Sequence, residues 1–291
     1  TRTLRSGAPQ MSTEDESRTV CTTCPRHCRI PEGSLGFCRA RRCVSGTVID
    51  DNYGKITAAA LDPIEKKPLV RFFPGSRILS VGSWGCNLRC PFCQNYEISM
   101  TDGSDIRFDD ITPEELCRRA QQLAPQGNIG VAYTYNEPLV GWEFVRDTAK
   151  LVHEAGMKNV IVTNGWTETA TLDAVLPYTD AFNIDLKSYS EAFYKKVGGT
   201  LQVVKDNIRR AAASSHVEVA TLVIPGENDS TEEMDELSSF LASVSPDIVL
   251  HVTRFFPCYH MTDRGPTPVQ KVLDLADTAR KHLKYVYEGN I

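Results

Sequence analysis

The sequence predicts an α/β protein, a partial parallel barrel of six βα units preceded by a small Cys-rich lobe. Three observations predict it. From Arg77 onward, short runs rich in Val, Ile and Thr alternate with amphipathic helical runs, the pattern of buried parallel strands joined by crossover helices. Residues 19–76 lack helical periodicity and hold five of the ten cysteines. The βα unit recurs about six times, and eight-fold closure requires more units than that.

Taken in order, residues 1–18 are polar and read as a disordered or foreign leader, with Met11 available as a native start. Residues 19–76 form the lobe, with turns at Pro31–Glu32–Gly33 and Asn52–Tyr53–Gly54. A piece this small seldom holds a core without a metal clip. The barrel spans 77–291. Its strands are expected at Ile78–Ser83, Ile129–Thr134, Asn159–Thr163, Ala181–Leu186, Val217–Ile224 and Ile248–Thr253. The first helix is expected at Pro113–Leu123, with Thr112 as N-cap and Pro113 in the first turn. Leu139–Ala155 stops at Gly156, a helix-ending residue. Further helices fit Thr169–Leu176, Leu201–Ser214, Thr231–Ser243 and Pro268–Leu283.

Composition narrows the function. Lys and Arg number 32 against 37 Asp and Glu, a net charge of -5, so no global basic field draws the chain to nucleic acid or an anionic membrane. No stretch approaches the ~20 apolar residues of a membrane span. A cytoplasmic protein is the expectation, and in a reducing compartment clustered cysteines serve as metal thiolates rather than disulfides.

The strongest motif is Cys86-Asn87-Leu88-Arg89-Cys90-Pro91-Phe92-Cys93, directly after the first barrel strand. Three thiolates on such a loop suit three irons of a [4Fe-4S] cube and leave the fourth open to a small-molecule chelate. A zinc knuckle or a plain electron-transfer cluster is the alternative, and either wants a fourth protein ligand nearby. Polar residues gather at the following strand ends: Asn136 and Glu137, then Asn164, then Asp185 and Lys187. Strand ends on one barrel face converge on one pocket. Asn-Glu-Pro capping the next helix, and a loop-closing Asp185–Lys187 ion pair, are the structural alternatives. A second set, Cys21-x2-Cys24-x3-Cys28-x9-Cys38, suits a tetrahedral zinc or an auxiliary iron–sulfur cluster, and Cys43 is a substitute for one ligand. A structural role, stapling the lobe, is the expectation for it. Cys117, on a helix, reads as core.

Cys-x3-Cys-x2-Cys with an aromatic before the last cysteine resembles the signature of radical S-adenosylmethionine (SAM) enzymes, whose members carry a partial (β/α)6 TIM-like barrel. Within that superfamily the chain is similar to glycyl-radical-enzyme activating enzymes, the pyruvate formate-lyase type included. It is more similar to the radical SAM member of the AmmeMemoRadiSam system, through the leading Cys-x2-Cys-x3-Cys, Asp62-Pro63-Ile64-Glu65-Lys66-Lys67-Pro68, Cys93-Gln94-Asn95, Tyr135-Asn136-Glu137-Pro138 and Arg254-Phe255-Phe256-Pro257.

The resemblance implies an oxidoreductase that cleaves SAM at the cluster to a 5′-deoxyadenosyl radical and abstracts hydrogen from a protein substrate, fed by a low-potential reductant of flavodoxin or ferredoxin type. Radical modification of a small molecule or another protein, or a non-catalytic electron-transfer module, is the alternative. It places Phe92 by the adenine, Glu137 at the SAM ammonium, Asn164, Asp185 and Lys187 around the methionine end, and His260 near the ribose. Relatives carry a Gly-Gly-Glu-type motif where this chain has Tyr135, Asn136 and Glu137. That branch commonly adds a Cys-bearing tail after the barrel, so a natural chain longer than this one is the expectation.

Overall fold

The computed structural model describes residues 18–291. The leader assigned to 1–18 lies outside the described residues, apart from Arg18, which opens a strand. The lobe consists of short antiparallel pairs: β1 (Arg18–Val20) with β2 (Arg29–Pro31), and β3 (Arg41–Val44) with β4 (Thr47–Asp50). β5 (Lys55–Ile56) leads into β6 (Ala58–Pro63), which runs antiparallel to β7 (Arg77–Gly82). β8 (Asp109–Asp110) returns to pair with β5.

Parallel strands follow: β9 (Asn128–Tyr133), β10 (Lys158–Thr163), β11 (Ala181–Asp185), β12 (His216–Val223), β13 (Val249–Arg254) and β14 (Tyr285–Gly289). Together with β6 and β7 they form one eight-stranded sheet, in the order β14, β13, β12, β11, β10, β9, β7, β6. Its edges do not meet, so the barrel stays open, as the strand count implies. All six expected strands are present within a residue at either end. The sheet gains two more. β6 comes from the stretch assigned to the lobe, so the barrel sheet reaches back across residue 76, and β14 adds a seventh parallel strand.

The helices are α1 (Tyr96–Ser99), α2 (Pro113–Gln122), α3 (Trp142–Glu154), α4 (Thr169–Val175), α5 (Glu191–Val197), α6 (Leu201–Ala212), α7 (Thr231–Val244) and α8 (Val269–Ala279). Thr112 caps α2 as expected, its hydroxyl accepting from Glu115 N at 3.2 Å. The helix expected at Leu139–Ala155 opens instead with a 3₁₀ turn over Pro138–Gly141 and turns α-helical at Trp142. The helix expected at Pro268–Leu283 ends at Ala279 because the chain must turn into β14. α1 and α5 are additional to the expectation.

Alternation along the strands separates two interiors. In β11, Phe182 and Ile184 join the main core beneath the helices, whereas Ala181, Asn183 and Asp185 occupy the opposite face, inside the barrel. Ile64, Leu69 and Phe72 fill the lower barrel interior against Ile78, Ala132, Val160 and Ala181.

Glu218 of β12 anchors this plug. It is fully buried, and accepts from Val70 N at 3.0 Å, Arg71 N at 2.8 Å, His216 Nε2 at 2.9 Å and His251 Nε2 at 2.6 Å. Burial pushes its carboxyl up, but these hydrogen bonds outweigh burial and hold it down at about 2. A carboxylate with a depressed folded-state pKa contributes stability that is present above its unfolded value, about 4.5, and is lost as pH falls toward 2. The interval corresponds to about 3 kcal/mol. Urea midpoints measured from pH 6 to pH 3 should fall steeply for the natural chain. For Glu218→Gln they should start lower and fall less.

Candidate active site at the barrel mouth

The loop after β7 carries Cys86, Cys90 and Cys93, none in a disulfide. They border a cavity of about 220 Å³ together with Phe92, Asn136, Glu137, Asn164, Asp185 and Lys187. Of the residues singled out from the sequence for this site, only His260 is outside that wall. Its backbone N–H donates to Pro91 O at 2.8 Å, while its side chain stands exposed on the rim, its ring tilted against Tyr259 with centroids 3.7 Å apart. The adjacent Cys258 Sγ lies 3.6 Å from Cys93 O.

The loop is held from several sides. Asn136 Oδ1 accepts from Ser83 N at 3.0 Å, and its amide donates to Trp84 O and Gly85 O at 2.9 and 3.2 Å. Its polar atoms thus serve the chain and not the cavity. Tyr135, at φ +74°, makes the bend that turns them there. Asn164 donates to Asn87 Oδ1 at 2.9 Å and to Cys86 Sγ at 3.7 Å, and Leu88 N also donates to that sulfur at 3.4 Å. Asn87 Nδ2 reaches Trp166 O at 2.6 Å.

Glu137 does what its capping alternative described and more. Oε1 accepts from Leu139 N at 3.1 Å, opening the 3₁₀ turn, and from Thr163 Oγ1 at 2.7 Å; Oε2 accepts from Asn164 N at 2.7 Å. A carboxylate offers about four acceptor positions, so Oε2 keeps one. Burial raises its carboxyl to about 7 despite these bonds. Lys187 Nζ pairs with Asp185 Oδ2 at 2.9 Å. Burial opposes the lysine charge, yet Asp185 and the Cys90 sulfur hold its ammonium above the ordinary lysine range. Burial pushes the Cys90 thiol up to about 11 and the Cys86 thiol higher still.

The sequence reading passed over Tyr135 as a wall residue. Its hydroxyl donates to Asp62 Oδ2 at 2.8 Å, and the buried Lys67 Nζ reaches the same oxygen at 2.8 Å while lying 4.5 Å from the tyrosine ring. Asp62-Pro63-Ile64-Glu65-Lys66-Lys67 and Tyr135-Asn136-Glu137 are two motifs far apart in the chain that meet here.

The sequence model of the radical SAM superfamily matches residues 82–238. The uncharacterized protein MJ0808 of Methanocaldococcus jannaschii is 40% identical over 282 residues, covering 95% of this chain and 83% of that one. The pyruvate formate-lyase-activating enzyme of Clostridium pasteurianum is 28% identical over 59% of this chain and 71% of its own length. A crystal structure of a radical SAM methyltransferase from Sphaerobacter thermophilus superposes with a TM-score of 0.57 at 16% identity, over 75% of this chain and 67% of that chain.

If Asn136 is the strut of the cysteine loop, Asn136→Ala strips partners from the loop's backbone. Stability should fall by about 1–3 kcal/mol. Cys86 should be alkylated by a maleimide faster in the metal-free protein, while Cys117 on α2 keeps its rate.

Proposed function

Because the chain belongs to the radical SAM superfamily, an enzyme family whose members use a [4Fe-4S] cluster and SAM, we propose that Cys86, Cys90 and Cys93 hold that cluster and that the enzyme abstracts hydrogen from a protein substrate. The observation that carries this reading is one cavity lined by three unbonded thiols and, from three other strand ends, Glu137, Asn164, and Asp185 with Lys187. The donor set fits the group. Three thiols on one loop supply three of a cube's four ligands and would leave one iron for SAM's amino and carboxylate groups. When bound, the cluster and SAM supply a 5′-deoxyadenosyl radical by one-electron cleavage of the sulfonium.

The chain's own residues bind, orient and exclude water. Leu88 N and Asn164 Nδ2 donate to the Cys86 sulfur and steady its thiolate. The free acceptor position on Glu137 Oε2 suits the SAM ammonium, and a cation there favours the ionised carboxylate over the protonated form that burial promotes. Asp185 and Lys187 present both signs of charge to a zwitterion. Phe92 and Leu88, both buried, keep that side of the cavity apolar, and Phe92 is the surface offered to an adenine ring.

The protein substrate is supported by similarity to proteins named as activating enzymes, the Clostridium pasteurianum relative among them. A low-potential one-electron donor of flavodoxin or ferredoxin type in the cytoplasm completes the reading. A second metal centre at Cys21, Cys24, Cys28 and Cys38 belongs to it as well.

Under dithionite the reconstituted enzyme should convert SAM to 5′-deoxyadenosine, and the triple Cys86/Cys90/Cys93→Ala variant should lose this entirely. Asp185→Ala should weaken SAM binding by roughly 10–150-fold, the equivalent of about 1.5–3 kcal/mol for one charge-assisted contact. Calorimetric titration showing unchanged affinity, or 5′-deoxyadenosine from the triple variant, overturns the site. Deuterium passing into 5′-deoxyadenosine from a labelled small metabolite, and not from a labelled protein, overturns the substrate.

A further inference from the structure

The polar residues at the end of β9 follow a sharp bend made without glycine. Asn136 N–H donates to Thr134 O at 3.1 Å across Tyr135, whose φ is +74°. A hydrogen bond spanning one residue, with that residue at φ near +75°, is the rare and strained form of the γ-turn. Glycine enters the left-handed region freely, whereas a bulky residue stays there only where its surroundings hold it. The bend takes effect at the next two positions. Asn136 is turned onto Ser83, Trp84 and Gly85 of the cysteine loop. Glu137 N–H donates to Gly85 O at 3.3 Å, and its carboxylate is delivered to Thr163 and Asn164 in the cavity wall.

Tyr135 is held at its carbonyl, its ring and its hydroxyl. The carbonyl accepts from Asn95 Nδ2 at 2.7 Å, two residues beyond Cys93. The ring lies on Gly82 of β7, where a Cβ would come within 2.9 Å of Tyr135 Cδ2. The hydroxyl donates to Asp62 Oδ2 at 2.8 Å. Asp62 is fixed in turn by the buried Lys67 ammonium, 2.8 Å from that oxygen and 4.5 Å from the ring centroid. Lys67 lies between Ile64 and Leu69 of the barrel floor. Tyr135 borders the cavity and neither Asp62 nor Lys67 does, so their direct route to a ligand there runs through the tyrosine.

We propose that Tyr135 is a positioning residue: anchored through its hydroxyl on Asp62 and Lys67, it keeps the bend that turns Asn136 onto the cysteine loop and aims Glu137 at the SAM ammonium. This rests on the reading of Glu137 given above. Tyr135 itself supplies no charge to the ligand. Its role is to hold a backbone conformation that a residue with a Cβ leaves once its anchors are gone. The Asp62–Lys67 pair suits that task because Lys67 is buried and the shared carboxylate has little freedom to swing away from the phenol. The barrel floor and the ligand site are thereby joined through one side chain.

The test uses the full chain with its cluster rebuilt anaerobically. SAM binding is read by calorimetric titration, and circular dichroism reports the fold. Tyr135→Ala keeps a Cβ in the bend without the anchors and should weaken SAM binding roughly ten-fold, the size to which backbone strain of this class corresponds. Tyr135→Gly removes more of the side chain, yet it enters the bend freely and should bind SAM within about three-fold of the natural chain. Tyr135→Phe, which keeps the ring, should fall between them. Asp62→Ala should weaken binding in the natural chain and change nothing in the Tyr135→Gly background, where the bend no longer needs holding. In the metal-free protein the maleimide rate of Cys86 should follow the same order, raised in Tyr135→Ala and restored in Tyr135→Gly. A Tyr135→Gly variant as weak as Tyr135→Ala, or an Asp62→Ala loss of equal size in both backgrounds, makes the tyrosine a packing residue and overturns the proposal. Failure of the Glu137 reading looks different: Glu137→Gln would bind SAM as tightly as the natural chain, while the maleimide order held.

Discussion

Three thiols on one loop, Cys90 buried and Cys86 and Cys93 partly so, must be kept unpaired with each other and facing one cavity, and the architecture around residues 83–93 follows from that constraint. A loop of this kind has few internal hydrogen bonds, so its backbone groups need partners from outside. Asn136, at the end of β9, supplies them for Ser83, Trp84 and Gly85. Asn164, at the end of β10, supplies the Asn87 side chain and approaches the Cys86 sulfur. Val197 O, at the end of α5, accepts from Arg89 N at 2.8 Å. The lobe adds a contact from behind, Cys86 N–H donating to Cys38 O at 3.2 Å. The cysteine positions are therefore set by three strand or helix ends and a second subdomain, which is why the polar residues at the barrel mouth are so often turned toward the chain.

The same division explains the two halves of the barrel interior. The lower half is closed by the Ile64–Phe72 segment, whose backbone N–H groups would be stranded among apolar side chains without Glu218. Placing one carboxylate among two histidines and two amides satisfies them together. The floor is thereby fixed, and the cavity above it has a defined depth. Tyr135, Asp62 and Lys67 hold β6 to the end of β9 with one shared carboxylate; burial pushes the Asp62 carboxyl up, but the Lys67 and Tyr135 hydrogen bonds outweigh it and hold it down at about 2.

Much of this was legible in residues and the remainder was not, for identifiable reasons. Strands such as Lys158–Thr163 and Val249–Arg254 are largely buried and carry short β-branched cores, Val160–Val162 and Val249–Leu250 with Val252, that mark them as strand in the sequence. β6 escaped because it is an edge strand, largely exposed and ending in Pro63, so neither its pattern nor its composition marks it as sheet. β14 is only Tyr-Val-Tyr-Glu-Gly, and α5 only seven residues, short of any periodic signal. At the site, the cysteine spacing and the strand-end carboxylates could be found because chemistry restricts the residue types. The direction of the Asn136 amide could not, since it depends on the positive φ of Tyr135. His260 shares the strand-end position that placed the others in the wall, but the tight Cys258–Met261 turn carries its side chain to the rim.

The charge inventory of the cavity closes the argument about what it accepts. Three thiols and two carboxylates face one ammonium, that of Lys187, and Asp185 already engages it. Burial works against further negative charge there, pushing the Cys90 thiol up to about 11 and the Glu137 carboxyl up to about 7. Iron held by Cys86, Cys90 and Cys93 would displace their thiol protons. Glu137 Oε2 keeps an open acceptor position, and a cation beside it would favour the ionised carboxylate that burial alone disfavours. A ligand that brings positive charge to Glu137 and a carboxylate within reach of Lys187 would satisfy both at once, the charge pattern of the amino-acid zwitterion in the proposed function.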